Sequence, residues 1–262
     1  MSYNQNELDM ESDFNQFQAK RYPFLKFISA ESSKSNAPVK HFVLLTNDEK
    51  GNLQAQDLGE TLKVIFLKRG KFKLRKASYT TNEVNSGKNV EIEVYRLNKQ
   101  TGKRQFQDKG EWRAMKEKYG LATFQYPYVM LSSGDVAKLA VLPSSLGNYW
   151  EYCDSFAKEK TRIQEYETVL KGADDLTESE GGTFYKMTFS RGIKNSDELM
   201  EGVVMTLKVL NEELKQTDDY FQKREQEYRE QVALPSISEP NLSEDDIPIM
   251  EDEEINPEEV PY

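Results

Sequence analysis

The feature that most restricts the fold of this chain is a period-two alternation of apolar and polar residues in short segments. Within residues 89–98, Val90, Ile92 and Val94 alternate with two glutamates and Tyr95. Successive side chains of a β-strand point to opposite faces of its sheet, so this spacing predicts a half-buried strand. Aromatic and β-branched runs recur along the chain without the strand–helix rhythm of a parallel α/β fold. The sequence therefore predicts a mainly β fold.

Further strands are predicted from the same signals. They span residues 21–30, 39–46, 60–78, 122–131, 135–142 and 182–192. Arg69-Gly70 predicts a turn or bulge in the third of these segments, and Pro127 predicts a sheet edge or a bulge in the fourth. After Gly70, lysine and arginine alternate with Phe72 and Leu74, which predicts a strand with one basic face and one apolar face.

Helices are predicted at three places. A short helix over 111–119 lies within a basic connection that spans 99–120. A mid-chain helix starts with Ser144 or Ser145 as its N-cap. Its apolar residues follow the i, i+3, i+4, i+7 spacing of a buried stripe: Leu146, Tyr149, Trp150 and Cys153. Residues 172–182, rich in glycine and acids, are predicted as a loop.

The third helix is long and spans residues 196–231. Asp197 and Glu198 lie in its first turn, where the helix dipole favours anions. Its apolar positions alternate at spacings of three and four, as in a coiled-coil seam: Met200, Val203, Leu207, Leu210, Leu214, Thr217, Phe221, Arg224 and Tyr228. At 1.5 Å per residue the helix extends about 54 Å. We expect it either to self-associate or dock a partner, or to pack along its own domain.

Single residues of two types exclude much chemistry. Cys153 is the only cysteine and His41 the only histidine, so one chain forms no disulfide and no Cys/His zinc site. We predict no cofactor, no metal and no catalysis, and read His41 and Cys153 as structural residues. The polar N-terminus lacks a secretory signal, and no apolar run reaches the length of a membrane span. We expect a cytoplasmic protein without a membrane partner.

Charge is segregated along the chain. The formal net charge is −10, and residues 235–262 hold 10 acids and no lysine or arginine. Residues 61–118 hold 16 lysines and arginines against 6 acids, a net charge of +10. A basic block of this size is the usual electrostatic footprint of a polyanionic partner. The alternative is a solvated surface with incidental clustering.

Aromatic residues are interleaved with the basic block or follow it: Phe72, Tyr79, Tyr95, Phe106, Trp112, Tyr119, Phe124, Tyr126 and Tyr128. Cations bind phosphates of any nucleic acid, whereas aromatic rings stack on the bases that only a single strand exposes. No helix-turn-helix, zinc-finger or leucine-zipper pattern indicates duplex recognition. We therefore predict a binding surface for single strands that comprises Lys68, Arg69, Lys71, Phe72, Lys73, Arg75, Lys76, Tyr79, Tyr95, Lys99, Lys103, Arg104, Trp112, Tyr126 and Tyr128.

The last residues form a distinctive motif. Residues 234–262 lack the apolar content to fold alone and are predicted to be a disordered acidic tail. The tail ends in Glu258, Glu259, Val260, Pro261 and Tyr262. This tip resembles the C-terminal peptide of bacterial single-stranded DNA-binding proteins, Asp-Asp-Asp-Ile-Pro-Phe, with Val for Ile and Tyr for Phe. Phage proteins of this class share the plan on divergent OB-folds. The resemblance covers the tail and its pairing with a basic domain, not the folded body.

The resemblance and the basic block together predict non-sequence-specific binding of single-stranded DNA in replication or recombination, in a bacterial cell or a phage-infected host. The resemblance implies that the tail recruits partner proteins through its tip and competes with DNA for the basic surface. Alternatives are an RNA-binding or virion-associated protein, a chaperone for a basic protein, and a metal-dependent nuclease that uses Asp174, Asp175 and Glu178.

The predicted organisation has four parts: a flexible lead-in (1–20), an OB-like nucleic-acid-binding domain (21–195), the long helix (196–233) and the acidic tail (234–262). The predicted fold class is mainly β, of the α+β kind. It is an OB-like β-barrel with one mid-chain helix, a long C-terminal helix and the disordered tail. A homo-oligomer would form through residues 196–231.

Overall fold

The structure is a computed structural model. It describes residues 22–30, 38–47, 52–76, 78–84, 90–98, 104–179 and 182–233, with no account of the side chains of 221 and 224–233. The predicted lead-in, Lys99, Lys103 and the acidic tail lie outside the described residues. By its internal contacts the chain divides into two units, Met1–Leu210 and Asn211–Tyr262. Everything below except the second half of the long helix belongs to the first unit.

Thirteen strands run through the described residues. They are β1 (Phe24–Phe27), β2 (Phe42–Asn47), β3 (Leu53–Gly59), β4 (Thr61–Lys68), β5 (Phe72–Lys76), β6 (Tyr79–Thr81), β7 (Glu91–Leu97), β8 (Arg104–Glu111), β9 (Ala122–Gln125), β10 (Tyr128–Leu131), β11 (Val136–Ala140), β12 (Tyr166–Ser179) and β13 (Gly182–Lys194). The helices are α1 (Trp112–Tyr119), α2 (Leu146–Glu159) and α3 (Asp197–Ala233), with short 3₁₀ turns at Pro143–Ser145 and Ile163–Glu165.

Eight strands form the first sheet, in the order β13-β12-β4-β10-β11-β1-β2-β3. Neighbouring strands are antiparallel except for β1 and β11, which are parallel. One face of this sheet packs against α2, which buries Tyr149, Tyr152 and Phe156. The rings of Tyr149 and Tyr152 lie 5.8 and 6.2 Å from that of Phe66 on β4. Burial of these large rings supplies much of the driving force for folding.

Five strands form the second sheet, in the order β8-β7-β6-β5-β9. Helix α1 covers one face, where Trp112 contacts Phe72 with ring centroids 5.6 Å apart. Leu74, Ile92 and Val94 complete this smaller core. Glu111 caps α1 by accepting hydrogen bonds from the first backbone N–H groups, and Gly120 ends it in the left-handed conformation. The opposite face of the second sheet carries no helix among the described elements.

The chain passes between the two sheets at adjacent positions. Arg69-Gly70 joins β4 to β5, and Tyr126-Pro127 joins β9 to β10. Gly70 has φ +68°, and a Cβ built on it would lie 1.8 Å from the carbonyl oxygen of Tyr126. The side chain of Gln125 donates hydrogen bonds to the carbonyls of both Arg69 and Gly70. Glycine is therefore required where the two connections cross.

The mainly β fold, the short helix and the two longer helices agree with the sequence predictions. Both sheets are open along the described residues, so the closed OB-like barrel stays a prediction. The segment 60–78 is two strands that belong to different sheets, divided at Arg69-Gly70. Pro127 likewise marks a break between strands. Among the described residues, no helix has the length and apolar character that a membrane crossing requires.

The segment 172–182 is not the predicted loop. Most of it continues β12 and pairs with β13, with a register shift between Gly172 and Leu176. Strands β3, β6 and β8 and the first half of β12 were not predicted either. Most residues of β3 and β8 are exposed on both faces at the sheet edge, so their sequences show no alternation. Hydrogen bonding of their backbone groups to the neighbouring strand makes them strands, although their side chains do not alternate.

The N-cap position predicted for α2 is confirmed at Ser145, whereas its cap bond and the buried position of Trp150 are wrong. Ser145 holds the N-cap position, but its hydroxyl accepts the backbone N–H of Met187 and makes no cap bond. Trp150, predicted in the buried stripe, is 44% exposed. The buried residues are Leu146, Tyr149, Tyr152 and Phe156. The real stripe therefore turns away from Trp150, because the sheet contacts α2 on the side of Tyr152.

The first half of α3 packs within its own unit. Val203 and Leu210, two residues of the predicted seam, are 0% and 1% exposed. Met205 and Val209 point outward, 69% and 51% exposed. An intermolecular coiled coil over the whole seam would require Val203 and Leu210 to leave their present environment. Self-association through residues 196–231 stays a proposal.

Candidate nucleic-acid interface

Cations and aromatic rings share the face of the second sheet opposite α1. On β5, Phe72 and Leu74 are buried towards α1, and Lys73 and Arg75 point the other way. Lys73 is paired across strands with Phe124 of β9. Cross-strand partners lie side by side on one face of a sheet, so this lysine and this half-buried ring are neighbours. The basic face predicted for β5 is thus present.

The same face continues across the sheet towards β8. Arg75 pairs with Thr80, Thr80 with Tyr95, and Tyr95 with Phe106. The rings of Tyr95 and Phe106 meet edge to face, 6.1 Å between centroids. Phe106 is 57% exposed, although it is large and apolar. Arg104, two residues before it, is also exposed.

A second row lies on the first sheet, on the face away from α2. Adjacent strands place Tyr128, Lys138 and Phe24 side by side in that order, and Lys68 ends β4 beside Tyr128 at a register shift, where it also lies close to α2. The Nζ atom of Lys138 lies 5.7 Å from the ring of Phe24 and 5.9 Å from that of Tyr128. It also lies 5.3 Å from the ring of Tyr126. Phe24 is 40% exposed and meets Tyr126 edge to face.

Electrostatic interactions connect the two rows. Partial burial lowers the pKa of Lys73, and the positive charges of Arg104, Arg75 and Lys138 lower it further. Glu83 raises it. Glu83 also forms a 2.8 Å ion pair with Lys138. Lys73 therefore lies where cations of both sheets act on each other, and one carboxylate partly neutralises them.

We name these two rows together the basic–aromatic face. It comprises Phe24, Lys68, Lys73, Arg75, Tyr95, Arg104, Phe106, Phe124, Tyr128 and Lys138. Its chemistry suits an extended polyanion that bears flat, apolar groups. The cations attract phosphates, and the half-exposed rings offer surfaces for stacking. Arg75 already lies 5.8 Å from the ring of Phe124, a cation–π contact that holds both side chains on the face.

The structure brings six predicted site residues onto this face: Lys68, Lys73, Arg75, Tyr95, Arg104 and Tyr128. Arg69 and Lys71 flank the crossing at Gly70. Lys76 lies on the α1 side, where its Nζ would meet a Cβ added to Gly120. Lys99, Lys103 and the tail residues Glu258, Glu259, Val260, Pro261 and Tyr262 lie outside the described residues.

Several predicted stacking residues belong to the core instead. Phe72 is 6% exposed, and Tyr79 and Trp112, the first residue of α1, pack half-buried against the same cluster. Tyr126 and Tyr128 are 6% and 8% exposed. They also do not share a strand, because Tyr126 lies in the link before β10. On the basic–aromatic face, the rings with accessible surface are those of Phe24, Tyr95, Phe106 and Phe124, whereas the ring of Tyr128 is buried.

Sequence reasoning did not single out Phe24, Lys138 or Glu83. Phe24 and Lys138 lie outside the basic block and reach it only through strand pairing and the crossing between the sheets, whereas Glu83 lies within the block but was counted only as a charge. One local signal existed for Lys138: it stands between Ala137 and Leu139, whose apolar side chains mark the opposite face. Phe106 and Phe124 were visible as members of the aromatic run but not as exposed ones.

The single histidine and the acidic cluster have simple environments. His41 Nδ1 lies 2.8 Å from a carboxylate oxygen of Asp57. A backbone N–H of Gly59 and His41 both lower the pKa of Asp57. Asp174 and Asp175 are exposed on β12. Among the residues that the structure describes, no group of three or more His, Cys, Asp or Glu side chains could hold a metal ion.

Comparison of the chain with protein-family models, with curated proteins and with solved structures finds no match in any of the three. The case for a function therefore depends on the residues of the basic–aromatic face and on the sequence of the tail.

Proposed function

We propose that this protein binds single-stranded DNA without sequence specificity and serves DNA replication or recombination. The observation that carries the proposal is the basic–aromatic face, where exposed rings alternate with cations at cross-strand spacing. Duplex DNA hides its base faces, so exposed rings such as Phe106 contribute only to a single strand. The proposal involves no catalysis: the protein covers the strand.

The binding mode would be that of an OB-type protein, in which one sheet face carries the strand. The phosphates contact Lys73, Arg75 and Arg104, and successive bases stack on Phe124, Tyr95 and Phe106. Lys68 and Lys138 extend the path onto the first sheet. The strand displaces Glu83 from Lys138, because phosphate and carboxylate compete for the same ammonium group.

The acidic tail has two roles in this proposal. Its ten acids compete with DNA for the cations of the basic–aromatic face, and DNA binding releases them. The tip, from Glu258 to Tyr262, then recruits replication or recombination proteins. Its terminal aromatic ring would enter an apolar pocket of the partner, and its carboxylates would meet basic residues there. This proposal rests on the sequence of the tail and on its charge.

Fluorescence anisotropy of labelled dT₃₀, of the matching duplex and of the matching RNA, over a salt series, tests the function. We expect dT₃₀ to bind more tightly than the duplex. About five phosphate contacts would give a slope of roughly −3.5 in a plot of log affinity against log salt. Equal affinity for duplex and dT₃₀ would overturn the proposal. Preference for the RNA would favour an RNA-binding protein, because the 2′-hydroxyl distinguishes the two.

A further inference from the structure

A pocket of about 350 Å³ opens where the end of β4, helix α2 and the 3₁₀ turn before β12 meet. Its lining residues are Phe66, Lys68, Arg69, Tyr149, Trp150, Cys153, Asp154, Ile163 and Gln164. We name it the Trp150 pocket. Small-molecule pockets usually range from about 300 to 1,000 Å³. The Trp150 pocket is therefore at the lower end, suited to one small planar ligand rather than to a large cofactor.

The floor of the pocket is apolar and neutral. Phe66 and Tyr149 are 2% and 1% exposed. Burial strongly raises the pKa of the Tyr149 hydroxyl, and the neighbouring Cys153 raises it further. Burial also raises the pKa of the Cys153 thiol, so this cysteine stays protonated and unreactive. The floor therefore offers contact area but no chemistry.

Trp150 forms the rim, and its exposure has no explanation in the packing of α2. The helix buries its other large rings, whereas 44% of Trp150 is in contact with solvent. A Trp ring is large, rigid and polarisable, and it loses little conformational entropy on binding. The same properties make exposed aromatic residues the platforms on which single-stranded bases stack.

The mouth of the pocket is basic. Lys68 and Arg69 are both exposed and line it at the end of β4. Lys68 is also paired with Tyr128 of the basic–aromatic face at a register shift, so the pocket adjoins the end of that face. On the other side lies Asp154, one helical turn beyond Trp150, where its carboxylate repels phosphate and can accept a base N–H group. The side chain of Gln164 is fixed by donation to the Leu67 carbonyl.

We propose that the Trp150 pocket binds one nucleotide of the same single strand that lies on the basic–aromatic face. The base stacks on the Trp150 indole over the floor of Phe66 and Tyr149. The phosphate lies at Lys68 and Arg69, away from Asp154. This inference rests on the proposed function. It adds a defined binding position for one nucleotide of the DNA strand, near the point where the polypeptide passes from the first sheet to the second.

Intrinsic fluorescence with dT₃₀ tests the pocket, because the chain has only two tryptophans, Trp112 and Trp150. Trp112 is the half-buried first residue of α1 and lies off the basic–aromatic face, so we expect dT₃₀ to quench the wild-type emission and the quenching to be lost in Trp150→Phe. Trp150→Ala should lower the affinity for dT₃₀ about 5- to 150-fold, the range for one base–aromatic stack. Trp150→Phe, which keeps a ring, should lose less.

Ile193→Ala is the matched control, since Ile193 is 71% exposed and lies on β13, outside both the pocket and the face. It should bind dT₃₀ as the wild type does. A thermal melt establishes that Trp150→Ala is folded. If it is not, the difference in quenching between the wild type and Trp150→Phe decides the question alone.

Three results would overturn the inference, and they separate it from the proposed function. If dT₃₀ binds but neither affinity nor quenching depends on residue 150, the pocket is not used and the function stands. If free dTMP quenches Trp150 saturably and dT₃₀ does not, the pocket takes a free nucleotide. If the wild type does not bind dT₃₀ at all, the function fails and the inference fails with it.

Discussion

The exposure of the Phe106 ring is not explained by packing in the fold. Phe106 is large, apolar and 57% exposed on an edge strand, where a polar residue would protect the sheet from aggregation. Its neighbours are Tyr95 and Arg104, which together make a platform beside a positive charge. An exposed ring lowers the solubility of the protein, so we expect a ligand to cover it. A base of a single strand could stack on it and do so.

We expect Phe106→Ala to weaken binding of dT₃₀ about 5- to 150-fold, because it removes one stacking surface. Stability should change by less than about 0.5 kcal/mol, since the side chain is mostly in solvent. The measurements are anisotropy at fixed salt and a thermal melt. Leu176→Ala is the control, because Leu176 is 49% exposed on β12 and lies off the basic–aromatic face. Equal losses in both variants would contradict a specific role for Phe106.

Lys73 makes the pH dependence of binding predictable. Burial and three neighbouring cations lower its pKa in the free protein, whereas a bound phosphate favours the ammonium form and raises it. Below the free-state pKa the ammonium is present with or without DNA, so affinity is independent of this group. As the pH rises through that pKa, binding requires uptake of a proton and affinity falls.

We therefore expect the affinity for dT₃₀ to fall as the pH rises, and the fall to begin below about pH 10.4, the ordinary lysine pKa. The fall should be weaker in Lys73→Arg, because the guanidinium stays charged throughout this range. Titrations at constant ionic strength measure both slopes. Identical slopes for the wild type and Lys73→Arg would show that Lys73 does not contact the strand.

At the scale of elements, the crossing between the sheets sets the geometry of the candidate interface. It brings the β5 row beside the β10–β11 row, and it depends on one glycine. We expect Gly70→Ala to lower the free energy of unfolding by about 2–4 kcal/mol, because φ +68° disfavours a side chain and the added Cβ would overlap the Tyr126 carbonyl. Urea denaturation measures the change.

Gly147→Ala is the matched control for this substitution. Gly147 lies in the first turn of α2, and a Cβ added there meets nothing within 4 Å. Alanine is the better helix former, so this variant should gain up to about 1 kcal/mol. If Gly70→Ala were as stable as Gly147→Ala, the two connections would not cross as closely as described.

Elements with a clear period could be predicted from the sequence, and those shaped by pairing could not. The two faces of β5 follow from the alternation of apolar Phe72 and Leu74 with basic Lys73 and Arg75. Strand β8 has no such alternation, since pairing at an edge needs only its backbone groups. For the same reason the aromatic residues were visible but their exposure was not: whether Phe72 or Phe106 is buried depends on where α1 packs.

The site was predictable only as far as it is local in sequence. Lysines and arginines of the basic block include Lys73, Arg75 and Arg104 of the basic–aromatic face. Lys138 and Phe24 come from strands far along the chain and join the face through β10, β11 and β1. Trp150 was assigned to the core because helical spacing allows two candidate stripes in α2, and only the position of the sheet distinguishes them.

At the scale of the whole molecule, we propose that the two oppositely charged segments of the chain regulate its affinity for DNA. Residues 61–118 carry a net charge of +10 and residues 235–262 a net charge of −10, so the tail can neutralise the positive charge that would bind DNA. Such competition is electrostatic and acts at high effective concentration, because both partners belong to one chain. Salt screens it over roughly 10 Å at 0.1 M. The tail therefore matters most where DNA binding itself is strongest.

We expect deletion of residues 235–262, which brings the formal net charge from −10 to zero, to raise the affinity for dT₃₀ about tenfold at 50 mM salt. The gain should shrink towards nothing as salt increases, because the competing interaction is screened like that of the DNA. A full-length variant with the ten tail acids changed to their amides separates charge from length. It should match the deletion if the acids compete with DNA. An affinity that is unchanged at every salt concentration in both variants would leave the tail only its role in recruiting partners.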